Sequence, residues 1–258
     1  MNLGIQGKTA LITASGNGIG KHIAYTLAQE GVNLVLFSRT KSQLDQLAQE
    51  IQTKYKVKAY SFCGDLLSQY DVSKLAIFLH EKFNGPDILI LNTPRPPNPL
   101  RATMEETEEK RWQEAYQNQL WSAIQLSNAI LPLMLNKGWG RIIAITSASV
   151  KHPMPNHSLS TVFRAGMTAY IKHLANEIGE KGITANCVAP ALIDNSHRTS
   201  TKSYTEAQMK ERKKMTPLGR IGTQEELSGT VGFLASKQAG FITGSTILVD
   251  GGMSGSLI

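Results

Sequence analysis

The sequence predicts a doubly wound α/β fold: a seven-stranded parallel sheet with helices on both faces, as a single domain over residues 1–258. Three observations carry that expectation. Short apolar runs alternate with amphipathic helical stretches along the whole chain. A glycine-rich segment, residues 13–20, falls at the first strand-to-helix junction. Neither an internal repeat nor a linker breaks the alternation, and right-handed crossovers leave few other ways to connect it.

Taken in order, Thr9–Thr13 reads as a short apolar strand. Residues 18–30 follow as a helix with Ile19, Ile23, Leu27 and Ala28 on one face. Residues 32–37 are nearly all apolar, as expected of a strand covered on both faces. Lys41–Tyr55 repeats Leu44, Leu47, Ala48 and Ile51 at helical spacing. A strand over 57–63, a helix over 72–83 and the apolar run Ile88–Leu91 complete the first half. The second half offers a long helical stretch over 105–135 with Pro132 near its end, and a strand over 142–146. A helix over 159–178, a strand over 183–188 and a last strand, Thr246–Val249, close the sheet.

Bulk properties narrow the function classes. With 258 residues, 41% of them hydrophobic, the chain can bury one large core. No stretch approaches the roughly 20 apolar residues of a membrane span, and the first residues lack the apolar centre of a signal peptide. Cys63 and Cys187 are isolated and without metal-ligand spacing, which suits reduced, buried thiols in a cytoplasmic protein. The net charge of +7 fits either surface composition or an anionic substrate. There is no aromatic-basic stripe, so no nucleic-acid partner is expected.

Two segments break the regularity. Residues 93–99 hold four prolines in seven positions and must form a stiff loop just past the fourth strand. Residues 194–214 are polar and basic, with Arg198, Lys202, Lys210, Arg212, Lys213 and Lys214. They read as a flap over the substrate or, equally, as a solvated loop and helix.

The glycine segment carries the first chemistry. Gly16, Gly18 and Gly20 lie between an apolar strand and an amphipathic helix, where glycine lets backbone amides approach a pyrophosphate. The helix start then directs its open N–H groups at the phosphates. Arg39 ends the second strand, and no carboxylate occurs between Val32 and Thr40. An acidic group there would take a ribose 2′-hydroxyl, whereas arginine pairs with a 2′-phosphate, so NADP(H) is expected over NAD(H).

With those residues in place, the chain resembles the short-chain dehydrogenase/reductase family, and within it the 3-oxoacyl-carrier-protein reductase-like members. Residues 13–20 match its TGxxxGxG loop except that Ala14 holds the first glycine position. Asp65 and Leu66 match the segment that holds the adenine, and Asn92-Thr93-Pro94 lies where the family has NNAG. Residues 186–190 match a segment ending in proline, with Ala191 in place of the glycine that follows. Residues 241–244 and 249–252 match the C-terminal signature. The resemblance implies cofactor contacts from Thr13, Ser15, Gly16, Asn17, Gly18, Ile19, Gly20, Arg39, Asp65, Leu66, Asn92, Pro190 and Ile193.

The implied catalytic residues depart from the family. Ser147 aligns with the serine that hydrogen-bonds the substrate carbonyl. The tyrosine and lysine of the YxxxK pair fall on Ser160 and Arg164, and the asparagine of the long helix falls on Gln119. Ser147, Ser160 and Arg164 are therefore the candidate catalytic residues, with Arg164 also placed to hold the nicotinamide ribose. A serine is a far poorer acid than a phenol, so proton donation must differ. His152 and His157 are the nearby histidines and read as exposed loop residues. Tyr170 is assigned to packing, and Trp112 and Trp121 to core or subunit contacts.

Two functions follow from the resemblance. One is an NADP(H)-dependent oxidoreductase that reduces a carbonyl, with a 3-oxoacyl thioester among the candidate substrates. The other is an NADP(H)-binding homologue without turnover, serving as a sensor or as a subunit of a mixed oligomer. A cytoplasmic homotetramer is the expectation that the family supplies.

Overall fold

The computed structural model describes residues 2–194 and 205–255. Seven strands form one sheet: β1 (Thr9–Thr13), β2 (Asn33–Ser38), β3 (Ala59–Cys63), β4 (Ile88–Leu91), β5 (Gly140–Ile145), β6 (Ile183–Pro190) and β7 (Thr246–Val249). Their order is β3-β2-β1-β4-β5-β6-β7, and every neighbouring pair is parallel. The winding reverses between β1 and β4, which opens a crevice at the carboxyl ends of those strands.

Alternation along the strands divides the core in two. Ala10 and Ile12 of β1, with Ile88 and Ile90 of β4, face α1 (Gly18–Gln29), α2 (Lys41–Tyr55) and α8 (Gln224–Ala235). Leu11, Leu89 and Leu91 face α3 (Gln69–Phe83), α5 (Ser122–Leu135) and α6 (Ser158–Ile178). Both faces are thereby covered, as the all-apolar strands require. The remaining helices are α4 (Glu109–Tyr116) and α7 (Glu206–Lys214).

The structure departs from the sequence reading at four places. α8 was not expected; Leu227, Val231 and Leu234 recur at i, i+4 and i+7, but Ser228-Gly229-Thr230 interrupts the pattern. Its start is fixed by a capping box between Thr223 and Glu226. The long helix expected over 105–135 begins at Glu109 and is broken at Gln117–Trp121 by a π-helical turn. Cys63 is exposed, not buried, because it ends β3 at the edge of the sheet; Cys187 is buried as expected. Of the flap expected over 194–214, residues 195–204 lie outside the described residues, and most of the remainder is α7, which buries no side chain. Among the described residues no helix is long and apolar enough to cross a membrane, and no side-chain cluster could hold a metal.

Candidate active site

The glycine-rich loop is anchored between the ends of β1 and β4. The Thr13 hydroxyl accepts the Asn92 N–H at 2.9 Å and lies 2.9 Å from the Asn92 carbonyl, so it joins the two strand ends. The Ser15 hydroxyl, fully buried, donates to the Phe37 carbonyl at 3.4 Å. Both hydroxyls shape the loop from beneath. Ala14 takes φ +48° and Gly18 φ +53°, turning the chain back toward α1. A Cβ on Gly20 would lie 2.4 Å from the Ala14 carbonyl oxygen, so only glycine admits this approach. Asn17 precedes α1 without a side-chain cap, which leaves the first-turn N–H groups, including those of Gly18 and Ile19, open to an anion.

At the end of β2 lies a second group of polar side chains. The Ser38 hydroxyl is buried and has no hydrogen-bond partner. Gly16 faces it: a Cβ there would sit 2.9 Å from Ser38 Oγ and 3.1 Å from Gln43 Oε1. Arg39 is exposed beside it, and the Thr40 hydroxyl does not cap α2. Farther along the edge, Asp65 Oδ1 accepts the Leu67 N–H at 3.0 Å, and the carbonyl of buried Leu66 accepts from Gln125. An orphaned buried hydroxyl, an uncapped helix start and a glycine cradle together fit a phosphorylated dinucleotide.

The candidate catalytic residues differ in character. Ser147 follows β5, and its oxygen accepts from both Ser149 N–H (3.2 Å) and Ser149 Oγ (3.0 Å). Its own proton is left to donate. Ser160 and Arg164, four apart on α6, share one face and are both buried. Arg164 Nη1 donates to the Ile145 carbonyl at 2.6 Å and to Thr93 Oγ1 at 2.9 Å. Its Nη2 donates to the Thr93 and Pro94 carbonyls at 3.4 Å each. These donors, which the sequence reading directs at a ribose, are spent on strand ends. Burial pushes the guanidinium down to about 10, and the charge of Arg95 adds to the shift.

Thr93 escaped the sequence reading, although it directly follows Asn92. Its hydroxyl also reaches the Gln119 carbonyl, at 3.5 Å, and so links β4, α6 and the π-turn. Gln119 is wholly buried; Nε2 donates weakly to the Leu159 and Ala115 carbonyls, and Oε1 has no partner. On the far wall Pro190 ends β6, and Ile193 forms an isolated bridge with Gly222. His157 lies at the start of α6 with Nδ1 2.7 Å from the Pro155 carbonyl. Cys187 is sealed in, and burial pushes its thiol up to about 12.

A family model described as enoyl-(acyl carrier protein) reductase matches residues 13–254. The chain is 31% identical over 253 residues to 3-oxoacyl-[acyl-carrier-protein] reductase of Aquifex aeolicus, covering 98% of this chain and 100% of that one. It is also 31% identical to human dehydrogenase/reductase SDR family member 4, over 95% of this chain and 87% of the relative. Among solved structures, L-sorbose reductase from Gluconobacter frateurii, complexed with NADPH and L-sorbose, superposes with a TM-score of 0.90. It is 29% identical and covers all of both chains. A 7α-hydroxysteroid dehydrogenase complexed with NADH and 7-oxo glycochenodeoxycholic acid superposes with a TM-score of 0.89 at 28% identity, over 100% of this chain and 98% of that one. Sheet order, glycine loop and these likenesses agree: the chain belongs to the short-chain dehydrogenase/reductase family.

Proposed function

We propose that the protein is an NADP(H)-dependent reductase of a carbonyl compound. The observation that carries this reading is the pair of residues that ends β2. There Ser38 keeps a buried hydroxyl without a partner, Arg39 is exposed, and no carboxylate intervenes from Val32 to Thr40. A 2′-phosphate would satisfy both side chains, whereas a bare ribose would leave the arginine unanswered. Gly16, Gly18, Ile19 and Gly20 would hold the pyrophosphate, Asp65 and Leu66 the adenine, and Asn92, Pro190 and Ile193 the nicotinamide end.

When bound, the reduced nicotinamide would supply a hydride to the carbonyl carbon, and solvent water would supply the proton that completes the alcohol. Ser147 donates its free proton in a hydrogen bond to the carbonyl oxygen and orients the substrate. Ser160 supplies a second hydroxyl on the same side, and Arg164 fixes the strand ends on which both depend. Kinship with the Aquifex reductase supports a 3-oxoacyl thioester as one candidate substrate. Exposed apolar side chains such as Trp121 on the π-turn, Val162 on α6 and Phe241 before β7 suit a homotetramer. A fluorescence titration with NADPH and NADH tests the cofactor. NADPH should bind more tightly, and Arg39→Ala should weaken NADPH far more than NADH. Equal losses for both would refute the assignment.

A second reading, nucleotide binding without turnover, is favoured by one observation. The cation at position 164 is committed to backbone carbonyls beside a serine that makes no side-chain hydrogen bond among the described residues. NADPH binding without carbonyl-dependent oxidation across a broad ketone panel would select it.

A further inference from the structure

Two local costs meet just beyond the end of β6. Leu192 takes φ +51°, the left-handed region where a β-carbon crowds the backbone. Gln224, which donates from Nε2 to the Asp194 carbonyl at 2.9 Å, is only 6% exposed, and its Oε1 has no hydrogen-bond partner among the described residues. A buried acceptor left unpaired is unfavourable, and so is a leucine in that turn. Such features persist only where the surrounding structure over-determines them, and they gather at ligand-binding and reacting sites.

Here the surrounding structure is a short ladder. Gly222 N–H donates to the Leu192 carbonyl at 3.0 Å, and Asp194 N–H donates to the Gly222 carbonyl at 2.8 Å. Ile193 is bridged to Gly222, so closely that a Cβ on residue 222 would lie 2.8 Å from Ile193 Cδ1. The bond from Gln224 extends this ladder to Asp194, and its donor is rigidly mounted. Gln224 is the first residue of α8, whose start is fixed by the Thr223–Glu226 capping box. Arg220 in turn donates to both Glu226 carboxylate oxygens, at 2.6 and 2.8 Å. An apolar side chain of the same length would fill the space without an orphaned acceptor. What the glutamine adds is a donor on the Asp194 carbonyl.

We propose that Gln224 is a positioning residue: by holding the Asp194 carbonyl it fixes the Ile193 backbone, and so sets how tightly the nicotinamide half of the cofactor is held. This rests on the reductase reading, which gives Pro190 and Ile193 to the nicotinamide end. NADPH and adenosine 2′,5′-bisphosphate test it, because the bisphosphate shares the adenosine and 2′-phosphate of NADPH and lacks the nicotinamide. Each is titrated calorimetrically into wild type, Gln224→Met and Gln224→Ala, and the emission spectrum of bound NADPH is recorded for all three. Gln224→Met keeps the length of the side chain and removes the donor together with the orphan, so its thermal midpoint should stay close to that of wild type.

Both variants should bind NADPH about five- to tenfold more weakly, the effect of one hydrogen bond. Its emission should move toward that of the free nucleotide, while the bisphosphate binds all three proteins alike. Unchanged NADPH affinity in Gln224→Met, or equal weakening of both ligands, overturns the proposal and leaves the cofactor reading standing. Wild type that binds neither ligand overturns the reductase reading, and the proposal with it.

Discussion

Arg164 Nη1 donates to the Ile145 carbonyl at 2.6 Å, which makes the guanidinium a clamp between β5 and the loop after β4. Removing it strands the Ile145, Thr93 and Pro94 carbonyls, and each buried orphan costs about 1–3 kcal/mol. Relief of a buried charge offsets part of that loss. Arg164→Ala should therefore destabilise by about 2–4 kcal/mol in urea denaturation. Arg164→Lys should fall between, because one ammonium cannot match the planar fork. Unchanged midpoints in both variants would show that the clamp contributes nothing.

Ser147 has a different role. Both of its hydrogen bonds are accepted ones, from Ser149 N–H and Ser149 Oγ, so substitution removes the donor that the proposed reaction uses without unpairing a strand. Ser147→Ala should lower turnover more than tenfold while NADPH affinity holds. Ser149→Ala should lower turnover less, since it only positions Ser147. A kcat that is indifferent to Ser147→Ala would remove this residue from the reaction.

The glycine-rich loop carries strain that can be relieved. Ala14 adopts φ +48°, a region where a Cβ costs about 1–2 kcal/mol. The added freedom of glycine in the unfolded chain cancels part of the gain. Ala14→Gly should stabilise by up to about 1 kcal/mol, a rise of about 2–4 °C in thermal midpoint, with nucleotide binding retained. A lower midpoint would mean that the Ala14 methyl has packing that outweighs its strain.

Much of this architecture was legible from residue patterns. The apolar strands and the three- and four-residue spacing in α1, α2 and α6 are local signals, and they sufficed for the sheet and for those three helices. What escaped depends on partners far along the chain. Whether Arg164 faces a ribose or a carbonyl is decided by Thr93 and Ile145, 71 and 19 residues away, and no spacing rule encodes that choice. The exposure of Cys63 follows from strand order, which places β3 at the edge, and not from its apolar neighbours. Within α8 the apolar stripe is interrupted at Ser228-Gly229-Thr230, so packing against α1 stabilises a helix that periodicity understates.

The two thiols should separate cleanly. Cys63 is exposed at the end of β3, whereas Cys187 is buried and pushed up to about 12. Reaction needs an accessible thiolate. Ellman's reagent on the native protein at pH 8 should titrate one thiol per chain, and two in guanidinium chloride. Cys63→Ser should abolish the native signal. Two thiols reacting at one rate in the native state would contradict the sealed site around Cys187.

The far end of the proline-rich loop is held by a buried ion pair. Arg111 donates to both Glu106 carboxylate oxygens, at 2.7 and 2.8 Å, and its Nη2 reaches the Pro99 carbonyl at 2.6 Å. The arginine holds Glu106 below the usual glutamate value. The folded protein therefore binds this proton less readily than the unfolded chain. The pair's contribution is fully present above the ordinary value of about 4.3 and is lost as pH falls through the folded value. Glu106→Gln leaves Arg111 buried without its counter-charge and should cost about 3–5 kcal/mol at pH 7. In urea titrations the gap between wild type and Glu106→Gln should narrow steadily below about pH 4. A gap that stays constant from pH 7 to pH 3 would show that the charge on Glu106 does not secure the proline-rich loop.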